Sequence, residues 1–338
     1  MSYPMLLTAF LFLFSAGLIY LACEYFVNGV EWVGRRLKLG ATTTGTVLAA
    51  FGTALPESAV TFMAVAFGRD PAQKDIGVGA ALGGPLVLAT IAYAVVGLAL
   101  LLNRKRLGRK DSQINVDHMR LGRDQLWFLV IFVVKIALGL VAFVWKPWLG
   151  WLFLAAYALY VWREMRQDGD DDAYEELQPL KFRPRASKPA LRWALLQTSL
   201  ALAVIALASH VFIGQLESIA TSLHMSPHLV ALVLSPVATE LPETMNALIW
   251  VRQGRERLAL ANISGAMMIQ ATVPSALGIF FTPWKFDAPL LVSGLVTMVA
   301  VIVLWLVFRR GHVRGGRLIP VGLLYGVFAA IVIALYQR

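Results

Sequence analysis

The sequence predicts an all-α polytopic membrane protein whose ten transmembrane helices form two inverted five-helix repeats. Its 338 residues are 58% hydrophobic and 15% charged, with a mean hydropathy of +0.68, whereas a soluble domain is about half apolar and about a quarter charged. The apolar residues form ten runs that approach or exceed the roughly 20 residues of helix needed to cross a bilayer. Because these runs are continuous rather than alternating, a transmembrane β-barrel is excluded.

The ten predicted spans separate the basic residues by side. Twenty-four of the thirty lysines and arginines lie in or beside the connections that follow odd-numbered spans. Because the basic side of short loops stays cytoplasmic, both termini are expected outside. The net charge of +10 is therefore a topology signal, and no nucleic-acid partner is expected. The spans cover residues 5–33, 41–67, 75–102, 125–143, 147–162, 191–213, 227–251, 258–281, 288–308 and 318–336.

The two halves of the chain repeat one another. Residues 21–57 align without a gap with residues 207–243, and eleven of the 37 positions are identical. The strongest part of the match is a consecutive Leu-Pro-Glu in the second span of each half. Each half contains five spans, an odd number, so the second half enters the membrane from the opposite side. Transporters built from inverted repeats place their sites near the midplane, where helices are interrupted.

These repeats predict the domain boundaries. The first repeat covers residues 1–162 and the second covers residues 191–338. Residues 163–190 between them are rich in acidic and basic side chains, and the pattern favours a solvated cytoplasmic linker.

The Leu-Pro-Glu segment carries the candidate chemistry. Pro56 has no N–H for the carbonyl of Gly52, and a broken helix in the bilayer is tolerated only where protein or water covers it. The freed carbonyl, the Thr53 hydroxyl and the Glu57 carboxylate can then face one point. The second half offers the oxygens of Thr239, Glu240 and Glu243.

Such an oxygen-only, negatively charged cluster suits hard cations such as Na⁺ and Ca²⁺. An ionised carboxylate in the membrane is costly and usually functional. The alternative is a pair of kinked helices with protonated or internally bonded glutamates. Glu240 has Ala54 as its counterpart in the first half, and it could instead pair with a basic residue.

Other polar residues in the spans carry weaker signals. Glu24 and His210 occupy equivalent positions and could form a proton-responsive pair or a local hydrogen bond. Lys135 could be a counter-ion or could extend to the membrane interface, and a structural role is expected. The small residues at 83–85 and 264–266 predict close helix contacts, with a kink at the proline.

The segments at 52–57 and 238–243 resemble the two alpha repeats of the calcium/cation antiporter superfamily, in its sodium/calcium exchanger branch. Residues 75–84 and 258–266 resemble the second part of each repeat. The resemblance covers essentially the whole chain. It implies two inverted five-helix repeats that exchange cations across a membrane by alternating access.

The resemblance also implies a ligand set. Residues that match the family's ion ligands are Thr53, Glu57, Thr239 and Glu243. The family serines correspond to Ala54, Gly84, Glu240 and Ala266, and the acidic or amide ligands correspond to Leu88 and Gln270. Three carboxylates with few neutral ligands favour a shared proton, so the hypothesis is that Glu240 makes a proton one of the exchanged ions.

Two other functional classes compete with a cation antiporter. A membrane enzyme using paired glutamates is disfavoured, since HExxH, GxSxG and serine–histidine pairings are missing from the repeats. A non-transporting relative could use the fold as a scaffold or sensor. The single cysteine, Cys23, excludes a cysteine metal cluster within the chain. Without a glycine-rich phosphate loop, neither a nucleotide nor a cofactor is expected. The expected partners are inorganic cations and membrane lipid.

Overall fold

A computed structural model describes residues 3–36, 41–105, 118–167, 178–186, 188–254, 256–311 and 313–336. Its regular elements are helices that follow the predicted spans closely. The helices are α1 (Tyr3–Arg36), α2 (Ala41–Phe67), α3 (Pro71–Val87), α4 (Tyr93–Asn103), α5 (His118–Leu140), α6 (Gly150–Gln167), α7 (Leu191–Leu223), α8 (Pro227–Thr239), α9 (Leu241–Arg252), α10 (Glu256–Phe281), α11 (Ala288–Arg309), α12 (Gly315–Leu318) and α13 (Leu323–Tyr336).

The protein is an all-α membrane protein with the predicted ten-span plan. Predicted spans three, five, seven and ten are each built from more than one helical element. Six described helical segments are long and apolar enough to cross a membrane by themselves. Their bounds are Met5–Arg36, Pro71–Asn103, Leu191–Leu223, Ala259–Phe281, Ala288–Arg309 and Gly315–Leu335. Among the other spans, α5 buries the charged residues Asp124 and Lys135.

A helix break was predicted at the Leu-Pro-Glu segment. This prediction is wrong for the first half, where Pro56 lies within α2, and is confirmed for the second half. Helix α2 runs through Pro56 without interruption. In the second half the helix ends at Thr239 and restarts at Leu241, with Glu240 between them at φ −98° and ψ −9°. The difference has a physical reason, because the second half has an additional proline, Pro236, where the first half has an alanine.

Helices α3 and α8 approach each other closely at the centre of the molecule. A Cβ atom at Gly79 would overlap the carbonyl oxygen of His228, and one at Gly83 would overlap that of Leu232. Pro236 has no N–H to donate to the Leu232 carbonyl. The carbonyl that faces Gly83 therefore has no hydrogen bond from the next turn of α8. The prediction of a close contact at Gly83 is confirmed.

Helix α3 changes its winding just after Pro85. Residues Leu88–Ala92 form a π-helical turn before α4 begins. Wider turns of this kind often mark functional sites and alter the direction of a helix. The predicted disturbance at Pro85 is therefore found one turn farther along the chain.

Other helices surround this central contact. Helices α2 and α10 pack beside α3, whereas α1 and α7 pack against each other along the side of the molecule. Helices α5 and α11 pack together and against the same core. Many outward side chains are large and apolar, which suits a lipid-facing surface. Exposed tryptophans flank the start of α6, as in an interfacial aromatic belt: Trp145, Trp148 and Trp151.

The second part of the predicted linker, residues 178–186, is hydrogen-bonded to two helices. The side chain of Asn28 on α1 accepts a hydrogen bond from the backbone of Lys181 at 3.0 Å. Gln197 on α7 accepts one from the backbone of Phe182 at 2.8 Å and donates to the Tyr25 carbonyl at 2.8 Å. These polar partners on two helices hold residues 178–186 in place, although most of their side chains are exposed. Residues 168–177 lie outside the described structure.

Candidate functional site

The break between α8 and α9 brings two carboxylates from different halves of the chain to one hydroxyl. The Thr239 Oγ1 atom lies 2.7 Å from Oε2 of Glu57 and 3.0 Å from Oε1 of Glu240. It also lies 3.2 Å from the carbonyl oxygen of Ser235. Both carboxylates are 1% exposed. A hydroxyl has one proton to donate, so it cannot satisfy all three acceptors at once.

Glu243 lies in the first turn of α9 and is also 1% exposed. Its charge interacts with those of Glu240 and Glu57. One oxygen of each carboxylate has no hydrogen-bond partner among the described residues: Glu57 Oε1, Glu240 Oε2 and Glu243 Oε2. A buried carboxylate oxygen without a partner is unfavourable, so this cluster attracts a proton or a cation.

The three carboxylates do not converge on a single point in this conformation. Across the described residues, no group of three His, Cys, Asp or Glu side chains is placed to hold one metal ion. A cation held here would therefore need neutral oxygens as well, or a small rearrangement of the helices. The Thr239 hydroxyl contacts both Glu57 and Glu240, and the Gln270 amide borders the same space as Glu240 beside Gly84.

Gly84 makes room for part of this cluster. A Cβ atom at Gly84 would lie 2.7 Å from Oε1 of Gln270 and 3.2 Å from Oε1 of Glu240. The side-chain oxygen that the family resemblance leads us to expect at position 84 is missing, and the oxygens of Gln270 and Glu240 occupy the adjoining space. Neither amide atom of Gln270 has a hydrogen-bond partner among the described residues. Position 84, which lacks the expected side-chain oxygen, is thus adjacent in space to position 240, which has gained a carboxylate.

The other positions that the family resemblance or the small-residue pattern singled out do not add a described ligand to this cluster. Leu88 is buried at the start of the π-helical turn, and Ala266 is 1% exposed. The Thr53 side chain lies outside the described residues. A Cβ atom at Gly265 would meet no described atom within 4 Å, whereas the neighbouring Ser264 and Ala266 are buried.

Glu24 and His210 do not form the pair that their equivalent positions suggested. Glu24 instead accepts a bond from Lys181 Nζ at 2.6 Å, and the His210 side chain is exposed on α7. Lys181, which pairs with Glu24 instead of His210, lies in the linker. Alignment of the two halves could not predict this pair, because the linker has no counterpart in the repeat.

Lys135 does not extend to the membrane interface, which was one of the two alternatives that the sequence left open. Its side chain is 0% exposed. Its ammonium donates to the carbonyl of Ala81 at 2.7 Å, and its charge interacts with Glu57. In a regular helix that carbonyl would accept from residue 85, but Pro85 has no N–H. Sequence reasoning missed this pairing, although Pro85 was the signal for it.

A second charged pair lies at the starts of α8 and α11, and its acidic member, Asp287, lies outside the predicted spans. His228 contacts the carboxylate of Asp287, which also caps α11 by accepting from the Leu290 backbone at 3.2 Å. Burial alone would raise the pKa of Asp287. The bond and charge of His228, with the backbone bonds, outweigh that effect and lower the pKa below its ordinary value of 3.8.

Comparison with known proteins adds to this geometry. The sequence pattern of the family described as sodium/calcium exchanger protein matches residues 7–165 and 193–336. CaxA of Alkalimonas amylolytica, a protein named as an antiporter, is 27% identical over 289 residues, which are 84% of each chain. The inner membrane protein YrbG of Escherichia coli strain K12 is 26% identical over 344 residues, which are 98% of each chain.

Solved exchanger structures share the fold. The H⁺/Ca²⁺ exchanger CAX superposes with a TM-score of 0.73 at 16% identity, covering 97% of this chain and 86% of that one. The sodium-calcium exchanger NCX_Mj, soaked with Na⁺ and Sr²⁺, gives a TM-score of 0.58 at 21% identity and covers 96% and 98%. With the family pattern spanning both halves, the conclusion is direct: this chain belongs to the sodium/calcium exchanger protein family of integral membrane transporters.

Proposed function

We propose that this protein is a secondary antiporter that moves Ca²⁺ or a related divalent cation in exchange for H⁺ or Na⁺. Its cation site is formed by Glu57, Thr239, Glu240 and Glu243, with Gln270 as a neutral ligand. Thr53 completes the proposed set by family resemblance. No catalytic residue and no resident cofactor belong to this proposal.

The observation that carries the proposal is the Thr239 hydroxyl shared between Glu57 and Glu240. These two carboxylates come from opposite halves of the chain, and both are buried. Ionised carboxylates buried together are stable only with compensating positive charge. Ca²⁺ takes six to eight oxygen ligands and accepts carboxylate, hydroxyl and amide oxygens. The cluster therefore has the chemistry of a hard-cation site.

The same oxygens also account for exchange. A divalent cation and protons would satisfy the same unpartnered atoms, so the two cargoes cannot be bound there together. Inverted repeats supply two inside-out related conformations around a fixed central site. We favour the proton over Na⁺ as the counter-ion, because the site has gained a third carboxylate at Glu240 and has lost a neutral ligand at Gly84.

Radiolabelled Ca²⁺ flux in proteoliposomes tests the proposal. Imposed pH and Na⁺ gradients are applied separately to the full-length protein. We expect uptake driven by the pH gradient, and we expect Glu57→Gln and Glu243→Gln to abolish it while the purified protein keeps its melting temperature. Absolute dependence on Na⁺ would contradict the proton as counter-ion. Wild-type protein that moves no Ca²⁺ under either gradient would support the scaffold or sensor alternative instead.

The location of the protein follows from the same proposal. We propose a prokaryotic plasma membrane with both termini outside. Support comes from the basic connections after odd-numbered spans and from a relative named as an inner membrane protein. Reporter fusions at each end, active only outside the cytoplasm, test the orientation.

A further inference from the structure

Two buried hydroxyls lie one helical turn from the proposed carboxylate site. Thr61 follows Glu57 by four residues on α2, and Ser235 precedes Thr239 by four residues on α8. Residues four apart share a helix face, and four residues advance about 6 Å along the helix axis. Both hydroxyl-bearing side chains are 0% exposed. Thr61 and Ser235 therefore continue the two helix faces that meet where Thr239 contacts Glu57.

The directions of three helices relate the two hydroxyls to one another. Gly79 lies against His228, and Gly83 lies against Leu232, so α3 and α8 run in the same direction. Helix α2 packs beside α3 and is joined to it by residues 68–70. Because this connection is short, α2 runs antiparallel to α3 and therefore also to α8.

This antiparallel arrangement places both hydroxyls on the same side of the carboxylate site. One turn forward on α2 and one turn back on α8 lead toward the same face of the membrane. From the contact between Glu57 and Thr239, these two steps lead to Thr61 and Ser235. The two residues form a hydroxyl pair on the side at which α8 begins.

Neither hydroxyl of the pair has a hydrogen-bond partner among the described residues. Two other helical threonines, Thr272 and Thr297, are equally buried, and each donates to the carbonyl four residues earlier, at 2.7 and 2.8 Å. A buried hydroxyl without a partner is unfavourable, so packing alone does not explain the hydroxyl pair. Both oxygens remain available to a ligand beside the carboxylates.

The sequence repeat does not duplicate the hydroxyl pair. In the alignment of the two halves Ser235 corresponds to Ala49, and continuing that alignment by four residues matches Thr61 with Ala247. Because the repeats are inverted, these alanines belong to the matching approach from the opposite face of the membrane. An alanine side chain offers no oxygen. The two approaches to the carboxylates therefore differ in chemistry, and the hydroxyls lie on the side that is outside in the proposed topology.

We propose that the Thr61 and Ser235 hydroxyls form a second cation position, at which a divalent cation entering from the side where α8 begins exchanges water for protein oxygens. The proposal rests on the antiport proposed above, and it adds two residues to the ligand set that the family resemblance implies. Ca²⁺ takes six to eight oxygen ligands, and the hydroxyls supply two without adding charge. Neutral ligands hold the cation weakly enough for it to move on to the carboxylates about 6 Å away.

Thr61→Val and Ser235→Ala remove the two hydroxyls with little change in shape. Because each hydroxyl is buried without a described partner, we expect the double variant without Ca²⁺ to melt at or above the wild-type temperature. A merely structural role for the hydroxyls predicts a lower melting temperature. Thr61→Ser keeps a hydroxyl and is the conservative variant.

The chain offers a matched control on α11 in Ser293→Ala/Thr297→Val. Both residues are 0% exposed, and the Ser293 hydroxyl also has no partner among the described residues. The hydroxyl of Thr297, one turn later, is turned to the Ser293 carbonyl. The control therefore removes one hydroxyl of each kind from a helix that does not carry the carboxylates.

The test measures the half-saturating Ca²⁺ concentration for radiolabelled uptake at each face of the membrane. Right-side-out and everted vesicles are prepared from cells that make the full-length protein, and vesicles from cells without it give the background. Reporter fusions establish which face carries the start of α8. At that face we expect Thr61→Val/Ser235→Ala to raise the half-saturating concentration about tenfold or more, with no change at the other face. For Thr61→Ser and the control we expect wild-type values at both faces.

Each outcome decides the proposal. Equal shifts at both faces, a shift at the opposite face alone, no shift at either face, or a lower melting temperature of the double variant overturns the second position and leaves the antiport standing. If the double variant is inactive, the single variants decide: a shift at one face in Thr61→Val or Ser235→Ala supports the position, and equal shifts or inactivity overturn it. A wild type that moves no Ca²⁺ in either kind of vesicle rejects the proposed antiport, and this inference with it.

Discussion

Gly84 on α3 and Gln270 on α10 are complementary, since a Cβ atom at Gly84 would lie 2.7 Å from the amide oxygen of Gln270. The long amide side chain thus reaches the cluster through space that a larger residue at 84 would occupy. Glu240 borders the same space, with Oε1 3.2 Å from that Cβ position. The absence of a side chain at Gly84 therefore leaves the space that the side chains of Gln270 and Glu240 occupy.

Gly84→Ala tests this relationship. We expect the protein to fold, because the nearest atom belongs to a side chain that can shift, at a cost of about 1–3 kcal/mol. Displaced Gln270 and Glu240 oxygens should lower the apparent Ca²⁺ affinity, measured as the half-saturating concentration for uptake. The control is Gly265→Ala, which meets no described atom within 4 Å and should be neutral or up to about 1 kcal/mol stabilising. Equal effects of both variants would contradict the expectation.

Thr239→Val removes the hydroxyl that joins the two halves of the site. A hydrogen bond to a charged group contributes about 1.5–3 kcal/mol, so we expect cation affinity to fall roughly 10- to 100-fold. Thr239→Ser should retain most of it. Thr297→Val is the control, because Thr297 is equally buried but its hydroxyl donates to the Ser293 carbonyl on α11. Ca²⁺ binding is measured by calorimetry in detergent. Unaltered binding by Thr239→Val would show that Thr239 is not part of the site.

Gln197→Leu should detach residues 178–186 more than Lys181→Met does. Gln197 is fully buried and makes three bonds, to the Tyr25 carbonyl, the Asn28 side chain and the Phe182 backbone. At about 1 kcal/mol each, their loss costs roughly 2–3 kcal/mol. The Lys181 ion pair with Glu24 is partly exposed, with side chains 27% and 40% exposed, and such pairs contribute at most about 1 kcal/mol. Hydrogen exchange of the segment measures both, and a larger effect of Lys181→Met would contradict this order.

Asp287 should make stability depend on acid pH. Its pKa is lower in the folded protein than the ordinary value of 3.8, so the ionised carboxylate stabilises the fold above that value. This contribution is lost as pH falls through the folded-state pKa. Between about pH 5 and pH 3, wild type should lose more thermal stability than Asp287→Asn, which keeps an oxygen to cap α11. Because Asp287 is 42% exposed, salt should weaken the effect, and matching pH profiles would disprove it.

The sequence predicted the helices well because hydropathy acts locally. Helix α2 has the predicted bounds, and α10 and α11 differ from prediction by two residues or fewer. The sequence also assigned Glu57, Thr239, Glu240 and Glu243 to one candidate site. Alignment of the repeats pairs Glu57 with Glu243, whereas in the structure the Thr239 hydroxyl contacts Glu57 and Glu240. What the sequence could not show were pairings fixed by tertiary packing.

Two examples show the physical limit. Pro56 was expected to interrupt a helix, but one missing N–H can be tolerated when the surroundings satisfy the freed carbonyl, and only the half with Pro236 is broken. Glu24 was matched with His210 by symmetry, whereas its partner is Lys181 in a linker that has no counterpart in the repeat. Symmetry arguments fail where a segment is present once.

Residues 178–186 bond to α1 through the side chains of Asn28 and Trp32, yet they are continuous in sequence with α7. Residues 178–186 therefore connect the two repeats in two ways, through the peptide chain and through hydrogen bonds to α1. A protein severed upstream of Gln178 would keep the hydrogen-bonded connection, so co-expressed fragments should assemble without a covalent connection.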